Sequence, residues 1–345
     1  MKKLKTINKK DITKLLDDLA KNYRLFAPVN KDDIVNFEEV QNARNITLDF
    51  HNCKESPKKL FFPQSETLYC YSKEQGRSIP EDKDKRQRIV FGMRPCDAKA
   101  LVLLDNVFDG ADFKDPYYLE KRKNTVICSL ACNEPQSRCF CTSLEIGPGA
   151  KDGSDIFIVD IGQKYLLEAV TEKGQKLLGN MKNTSEAVDD DVKKAQQIIT
   201  EAESKIKKQI DTVGLADKLD ELVDSPIWDE LAEKCLGCGI CTYLCPTCHC
   251  FGLVDESTDC NGCRVRNWDS CMFGNFTLEA SGHNPRPTGK ERMRQRIMHK
   301  FNYFVKNFGV NACVGCGRCF CNCPVTNNLV KVIEKIKNTR SEPKK

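Results

Sequence analysis

Two kinds of hydrophobic pattern divide the first half of the chain into short helices and strands. Between Asp11 and Lys21 the apolar residues recur every three or four positions, the period of a helix with one buried face. Elsewhere the apolar residues form short unbroken runs, which are typical of strands buried in a sheet. The alternation predicts an α/β domain over residues 1–175. The predicted strands are KLFF (59–62), TLYCYS (67–72), QRIVFGM (87–93), TVICSL (125–130) and a hairpin of IFIVDI (156–161) with KYLLEAV (164–170).

Longer helices are predicted from the apolar spacing after residue 175. An amphipathic helix is expected to bridge two domains within a helical linker, residues 176–230. A basic helix (291–307) is expected inside the last segment, residues 231–345. Earlier in the chain, Asp97 is predicted to cap a helix over AKALVLLDNVF, because its carboxylate can accept from the free amides of a first turn. The apolar positions of the linker helix are Val192, Ala195, Ile198, Ile199, Ala202, Ile206 and Ile210.

Composition narrows the possible functions. The 345 residues carry a formal net charge of +5, which is too small and too diffuse to indicate nucleic acid binding. No run of about 18 apolar residues occurs, so no membrane span is expected, and the lysine-rich opening lacks the apolar core of a secretory signal. The 21 cysteines exceed what folding requires. Since a long chain without export signals usually uses cysteines to bind metal, we expect a cytoplasmic metalloprotein.

One cysteine motif occurs twice. CLGCGICTYLCP (235–246) and CVGCGRCFCNCP (313–324) both read C-x2-C-x2-C-x3-C-P. Three thiolates from one glycine-containing loop suit a cubane [4Fe–4S] cluster, and in two-cluster proteins the fourth cysteine ligates the other cluster. Zinc, the alternative, usually takes two C-x2-C pairs. We therefore predict two [4Fe–4S] clusters with crossed ligands. The first is assigned to Cys235, Cys238, Cys241 and Cys323, and the second to Cys313, Cys316, Cys319 and Cys245.

A weaker set of cysteines lies in the α/β half. Cys96, Cys132, Cys139 and Cys141 could hold a third cubane cluster, or they could be inert buried thiols, and their spacing leaves both possibilities open. Cys128 competes with Cys132, but TVIC is predicted to be buried strand, so Cys132 is preferred. The remaining cysteines of this half, Cys53 and Cys70, are predicted to be core or surface thiols.

Other residues have less specific patterns. The four histidines are scattered, and a structural role is expected for each. The basic helix either faces solvent, docks a partner or raises the potential of a cluster through its positive charge. No phosphate loop, serine triad or other substrate-site motif is present. Five spare cysteines could form a zinc site or a redox-active site, namely Cys248, Cys250, Cys260, Cys263 and Cys271.

Several longer stretches, in this order, resemble one protein family: the beta subunit of sulfhydrogenase (cytoplasmic NiFe hydrogenase) and its relative, the iron–sulfur subunit of anaerobic sulfite reductase. The resemblance covers nearly the whole chain, and the C-terminal part also resembles helical ferredoxin domains. Cys260 and Cys263 depart from the family pattern. The stretches are FGMRPCDAKAL, RCFCTS, PIWDELAEKCLGCGICTYLCPTCHCF, RVRNWDSC, SGHNPRPTGKERMRQR and CVGCGRC.

The resemblance implies an α+β protein in which an α/β domain precedes an α-helical ferredoxin-like domain with two [4Fe–4S] clusters. It favours the third cluster, since the four N-terminal cysteines match the family pattern. It implies a non-catalytic electron-transfer subunit between a FAD- and NAD(P)-binding, ferredoxin-reductase-like subunit and a catalytic subunit, either NiFe hydrogenase or sulfite reductase. An alternative is a thiol- or disulfide-reductase-linked subunit, as in a heterodisulfide-reductase-associated complex, with a catalytic cysteine centre. A nucleic-acid-binding redox sensor is disfavoured.

Overall fold

The computed structural model describes residues 3–74, 76–79, 84 and 86–340. The strands, in chain order, are β1 (Leu4–Asn8), β2 (Arg24–Lys31), β3 (Ile34–Val40), β4 (Ser65–Ser72), β5 (Gly76–Ser78), β6 (Arg88–Met93), β7 (Thr125–Leu130), β8 (Ile156–Asp160), β9 (Lys164–Ala169), β10 (Ser185–Glu186), β11 (Phe251–Thr258) and β12 (Asn261–Trp268).

The α-helices are α1 (Ile12–Asn22), α2 (Pro95–Phe108), α3 (Pro116–Lys123), α4 (Glu172–Asn180), α5 (Asp189–Ser204), α6 (Leu215–Glu221), α7 (Ile227–Ala232), α8 (Ile240–Tyr243), α9 (Gly289–Met298), α10 (Phe304–Phe308), α11 (Arg318–Cys321) and α12 (Leu329–Asn338). A π-helical turn, His299–Tyr303, joins α9 to α10. None of the helices that the structure describes is long and apolar enough to cross a bilayer.

The chain forms two compact units, and neither is continuous in sequence. Unit 1 comprises Met1–Phe61, Asp84–Lys207 and Val314–Cys316. The other parts form unit 2: Phe62–Lys83, Lys208–Cys313 and Gly317–Lys345. As limits of folding domains, residues 1–175, 176–230 and 231–345 stay a prediction.

Unit 1 is built on a mixed sheet of order β10-β1-β9-β8-β7-β6-β2-β3. Its central strands β2, β6, β7 and β8 pair in parallel, and β8 with β9 forms the predicted hairpin. Strands β6 and β7 are buried at every position, because helices cover parallel sheets on their faces. Leucines of α1 join residues of these strands in one hydrophobic core. The predicted α/β character of this half is confirmed.

Three local predictions for unit 1 were wrong. Residues 57–60 form a 3-10 helix rather than a strand, and the hydroxyl of Ser56 caps it by accepting from the amide of Lys58. Arg94, not Asp97, precedes α2, and the buried Asp97 carboxylate accepts a hydrogen bond from Ser56 Oγ at 3.0 Å. The linker helix ends at Ser204, and it packs Ala195 against the sheet side chains of unit 1. Ile206 and Ile210 are buried without being helical, so the apolar period continued past the end of the helix.

Unit 2 combines short helices with a four-stranded antiparallel sheet of order β11-β12-β4-β5. The prediction that the C-terminal part is α-helical is therefore wrong in one respect. The residues of β11 are mostly exposed, so this strand lacks the apolar alternation that would have marked it in the sequence. A disulfide between Cys70 of β4 and Cys263 of β12 crosses this sheet.

Candidate metal centres

The first cysteine motif folds as the sequence predicted. Gly237 and Gly239 have φ angles of 65° and 72°, in the left-handed region that glycine adopts without steric cost. A Cβ atom at Gly239 would lie 2.6 Å from the Phe273 ring. These turns place the loop cysteines and Cys323, which comes from the second motif, around one cavity. The cysteines that line this cavity are Cys235, Cys238, Cys241, Cys319 and Cys323.

The walls of this first cavity are mainly apolar. Met272, Met293 and Leu329 line it beside the cysteines, and an apolar surround controls how far solvent reaches a metal centre. The backbone amide of Asn327 donates to Cys323 Sγ at 3.3 Å. Such N–H···S bonds stabilise a thiolate. The four cysteines assigned to the first cluster therefore share one cavity and have a donor in place for a thiolate.

The second motif repeats the backbone geometry, with φ of 65° at Gly315 and 70° at Gly317. Its crossed cysteine, Cys245, is buried, and Lys300 Nζ donates to its sulfur at 3.3 Å. A hydrogen bond from the Cys248 thiol and the charges of Lys300 and Arg296 lower the pKa of Cys245 well below its usual value, although burial opposes this. Cys245 is thus held in the thiolate form that a metal requires.

Two cations of the predicted basic helix are buried in unit 2. Arg296 is 6% exposed and Lys300 is 2% exposed, so for these two residues the prediction of a solvent-facing helix was wrong. Burial lowers the pKa of Lys300, but the neighbouring thiolates of Cys245, Cys248 and Cys313 outweigh it and raise the pKa above its ordinary value. The Cys245 and Cys313 side chains therefore act on one ammonium group.

The N-terminal cysteines also line a single cavity, in unit 1. Cys96 follows β6 at the start of α2, and Cys132 follows β7. Because β6 and β7 are parallel neighbours, their carboxyl ends lie side by side, where open α/β sheets bind ligands. Cys139 and Cys141 complete the cysteine lining of this cavity. Cys128 is fully buried within β7, in agreement with the choice of Cys132.

The electrostatics around this cavity suit an anionic centre. Arg94 is buried at its edge and donates to backbone carbonyls, including that of Ala131 at 2.6 Å. Burial raises the pKa of Cys139 to about 11 and that of Cys141 to about 12. These thiols are neutral near pH 7 without a metal, so metal binding would release their protons. That the four cysteines hold a cluster stays a prediction.

A segment of the second motif belongs to unit 1 and lies directly on this N-terminal set. The amide of Phe140 donates to the carbonyl of Gly315 at 2.9 Å. A Cβ atom at Gly315 would come within 2.5 Å of the backbone of Cys141, so only glycine permits this approach. Cys316 is close enough to raise the pKa of both Cys139 and Cys141. The sequence contained no signal for this contact, because the same glycine was explained by the turn of the motif.

The spare cysteines do not form one site. Cys263 and Cys70 form a disulfide, so the predictions of Cys263 as a ligand and of Cys70 as a free thiol were wrong. Cys260 is exposed. Cys250 is hydrogen-bonded to Cys271, and this bond together with burial raises the pKa of Cys271. In the described part of the chain, no three His, Cys, Asp or Glu side chains are spaced to hold a single metal ion.

Comparisons with known proteins agree with the cysteine pattern. The family model of the 4Fe-4S dicluster domain matches residues 234–327, which include all eight cysteines of the two motifs. The match supports two [4Fe–4S] clusters. Over 316 residues the chain is 34% identical to the sulfhydrogenase 2 subunit beta of Pyrococcus furiosus, and the alignment covers 91% of this chain and 92% of that relative.

Proposed function

This chain belongs to the sulfhydrogenase beta subunit family, and from that premise we propose that it relays electrons between two other subunits of an oxidoreductase complex. An iron–sulfur electron-transfer subunit is what the family and the dicluster domain support. The observation that carries the proposal furthest is the first cavity, where three cysteines of one motif meet Cys323 of the other.

We assign the ligands as the sequence predicts. The first cluster would be held by Cys235, Cys238, Cys241 and Cys323, the second by Cys313, Cys316, Cys319 and Cys245, and the third by Cys96, Cys132, Cys139 and Cys141. Bound [4Fe–4S] clusters accept and give up single electrons. Support for the third site comes from the four thiols on one cavity and from the buried Arg94 beside them.

The residues between the cysteines assign different tasks to the centres. Leu236, inside the first motif, is 68% exposed, and Cys238 is exposed too. Exposed apolar residues beside polar ones are typical of protein contact sites. We therefore propose that a partner subunit docks at the loop 235–238. The contact of Gly315 with Cys141 places the second motif beside the N-terminal set instead.

For the partners, we propose a FAD- and NAD(P)-binding, ferredoxin-reductase-like subunit and a catalytic subunit of the hydrogenase or sulfite reductase type. The chain itself would carry out no bond-making chemistry, and the complex would work in the cytoplasm. Isolated and iron-replete, it should be reduced by a low-potential donor without turning over hydrogen or sulfite. Turnover of either substrate by the chain alone would contradict the relay function.

Iron and acid-labile sulfide, measured on anaerobically purified protein, count the clusters. Three clusters predict about 12 irons per chain and two predict about 8, since each holds four. Cys139→Ser should lower the count by about four and remove one electron paramagnetic resonance (EPR) signal of the reduced protein. Cys128→Ala, a change in the same unit but outside the cavity, should leave both unchanged. A wild-type count near 8 would exclude the third cluster, and zinc without iron would exclude the relay.

A second function, linked to thiol or disulfide reduction, is favoured by one observation. Cys250 and Cys271 are hydrogen-bonded to each other, so the two thiols are close enough to form a disulfide and release two electrons. If they are catalytic, Cys250→Ser should abolish the activity of the complex while the EPR signals persist. Full activity of the variant complex would leave this second function without support.

A further inference from the structure

Unit 2 buries two cations without giving either one a carboxylate. The described residues place no Asp or Glu within ion-pair distance of Arg296 or Lys300. Burying a single charge is costly unless it is paired. The two cations also repel each other, because Arg296 lowers the pKa of Lys300. An anion other than a carboxylate must therefore compensate for them.

Lys300 directs all of its donors toward the second centre. Its ammonium donates to Cys245 Sγ at 3.3 Å, to Thr247 Oγ1 at 3.1 Å and to the carbonyl of Ala312 at 2.9 Å. Thr247 Oγ1 in turn lies 3.1 Å from Cys245 Sγ and donates to the same carbonyl at 2.8 Å. The backbone oxygen precedes Cys313, so the ammonium is fixed between two cysteines assigned to the second cluster.

Arg296 faces the first centre. It lines the first cavity together with Cys241 and Cys319, and these two sulfurs are among the charges that raise its pKa. Its Nη1 is buried without a hydrogen-bond partner. A buried donor left unpaired costs about 1–3 kcal/mol, and cysteines outnumber the other residues with acceptor side chains that line this cavity.

We propose that Arg296 and Lys300 set the reduction potentials of the two C-terminal clusters, with Lys300 acting on the second and Arg296 on the first. This inference rests on the proposed function. Each reduction adds one electron and no proton to a cluster, so the reduced form carries one more negative charge. A fixed cation stabilises that form and raises the potential. Lys300 adds a hydrogen bond to a ligand sulfur, and such bonds also tune the potential.

The test is an EPR-monitored redox titration of the full chain, purified without oxygen. Lys300→Met should shift the midpoint potential of one C-terminal cluster to a more negative value, while the other signals stay in place. Lys300→Arg, which keeps the charge, should restore most of the shift. Arg296→Gln should lower the potential of the other C-terminal cluster. Because these sites are buried, the shifts should persist at high salt.

Lys306→Met is the matched control. Lys306 follows in α10, is half exposed and pairs with Asp220 at 2.6 Å, so its loss should move no potential. Unchanged midpoints in iron-replete Lys300→Met and Arg296→Gln proteins would overturn the proposal, and so would loss of iron from both variants, which would indicate a purely structural role. Wild-type protein without iron would instead overturn the proposed function.

Discussion

The two copies of the cysteine motif have the same spacing and opposite surroundings. In the first copy, the residue after the first cysteine is Leu236, which is largely exposed, and Cys238 is exposed as well. In the second copy, the matching residues are Val314, 2% exposed, and Cys316, 8% exposed. The spacing thus determines what a loop can bind. The residues between the ligands determine whether the centre meets solvent or the rest of the protein.

The largest expected effect tests whether the two copies exchange ligands. Cys323→Ser should remove the first cluster and about four irons per chain, because Cys323 lines the first cavity. Cys321→Ser changes an exposed cysteine two residues earlier and should leave the iron count unchanged. Loss of iron from the Cys321 variant alone, measured in parallel preparations, would show that the crossed assignment is wrong.

A smaller effect compares equivalent glycines. Gly237 and Gly315 have the same φ of 65°, so alanine should cost about 1 kcal/mol at either site for the left-handed backbone. At Gly315 the new Cβ also meets the backbone of Cys141 at 2.5 Å, whereas at Gly237 its nearest neighbour is 3.3 Å away. Overpacking of this kind costs a further ~1–3 kcal/mol.

Denaturant unfolding of iron-replete protein measures that difference. The free energy of unfolding should fall more in Gly315→Ala than in Gly237→Ala, and only the former should disturb the EPR signal assigned to the N-terminal cysteines. Equal losses in the two variants would mean that the contact between Gly315 and Cys141 is unimportant for stability.

The smallest expected effect compares the apolar residues that follow the first cysteines. Val314→Ala removes two buried methyl groups and should cost about 2 kcal/mol of unfolding free energy. Leu236→Ala, on the surface, should change stability by no more than about 0.5 kcal/mol. If a partner docks at this loop, Leu236→Ala should nevertheless weaken its binding, measured by titration calorimetry with the purified partner. An unchanged affinity would place the docking site elsewhere.

Patterns that depend on neighbouring residues were readable from the sequence. Strands β6 and β7 and the β8–β9 hairpin were predicted, because a buried parallel sheet requires continuous apolar runs. The strand expected at residues 59–62 was wrong, since Pro57 and the capping Ser56 favour a helical turn there. Strand β11 was missed because its residues are mostly exposed and polar.

For the candidate site, spacing identified the cysteines, and burial could not be read from it. A basic helix with alternating charges gave no indication that Arg296 and Lys300 would be the buried members. The pairing of Cys70 with Cys263 depends on the register between β4 and β12, which are 193 residues apart at that point. Such contacts follow from the packing of distant segments, for which a single sequence carries no local signal.

The three residues Val314–Cys316 complete unit 1 although most of that unit ends at Lys207. A chain emerging from the ribosome usually folds its N-terminal domain first. Here that domain would wait for its last piece until synthesis has passed Cys316. A truncated chain that stops before this point would leave the surface of Phe140 and Cys141 uncovered, so quality control could recognise an unfinished protein before any iron is inserted.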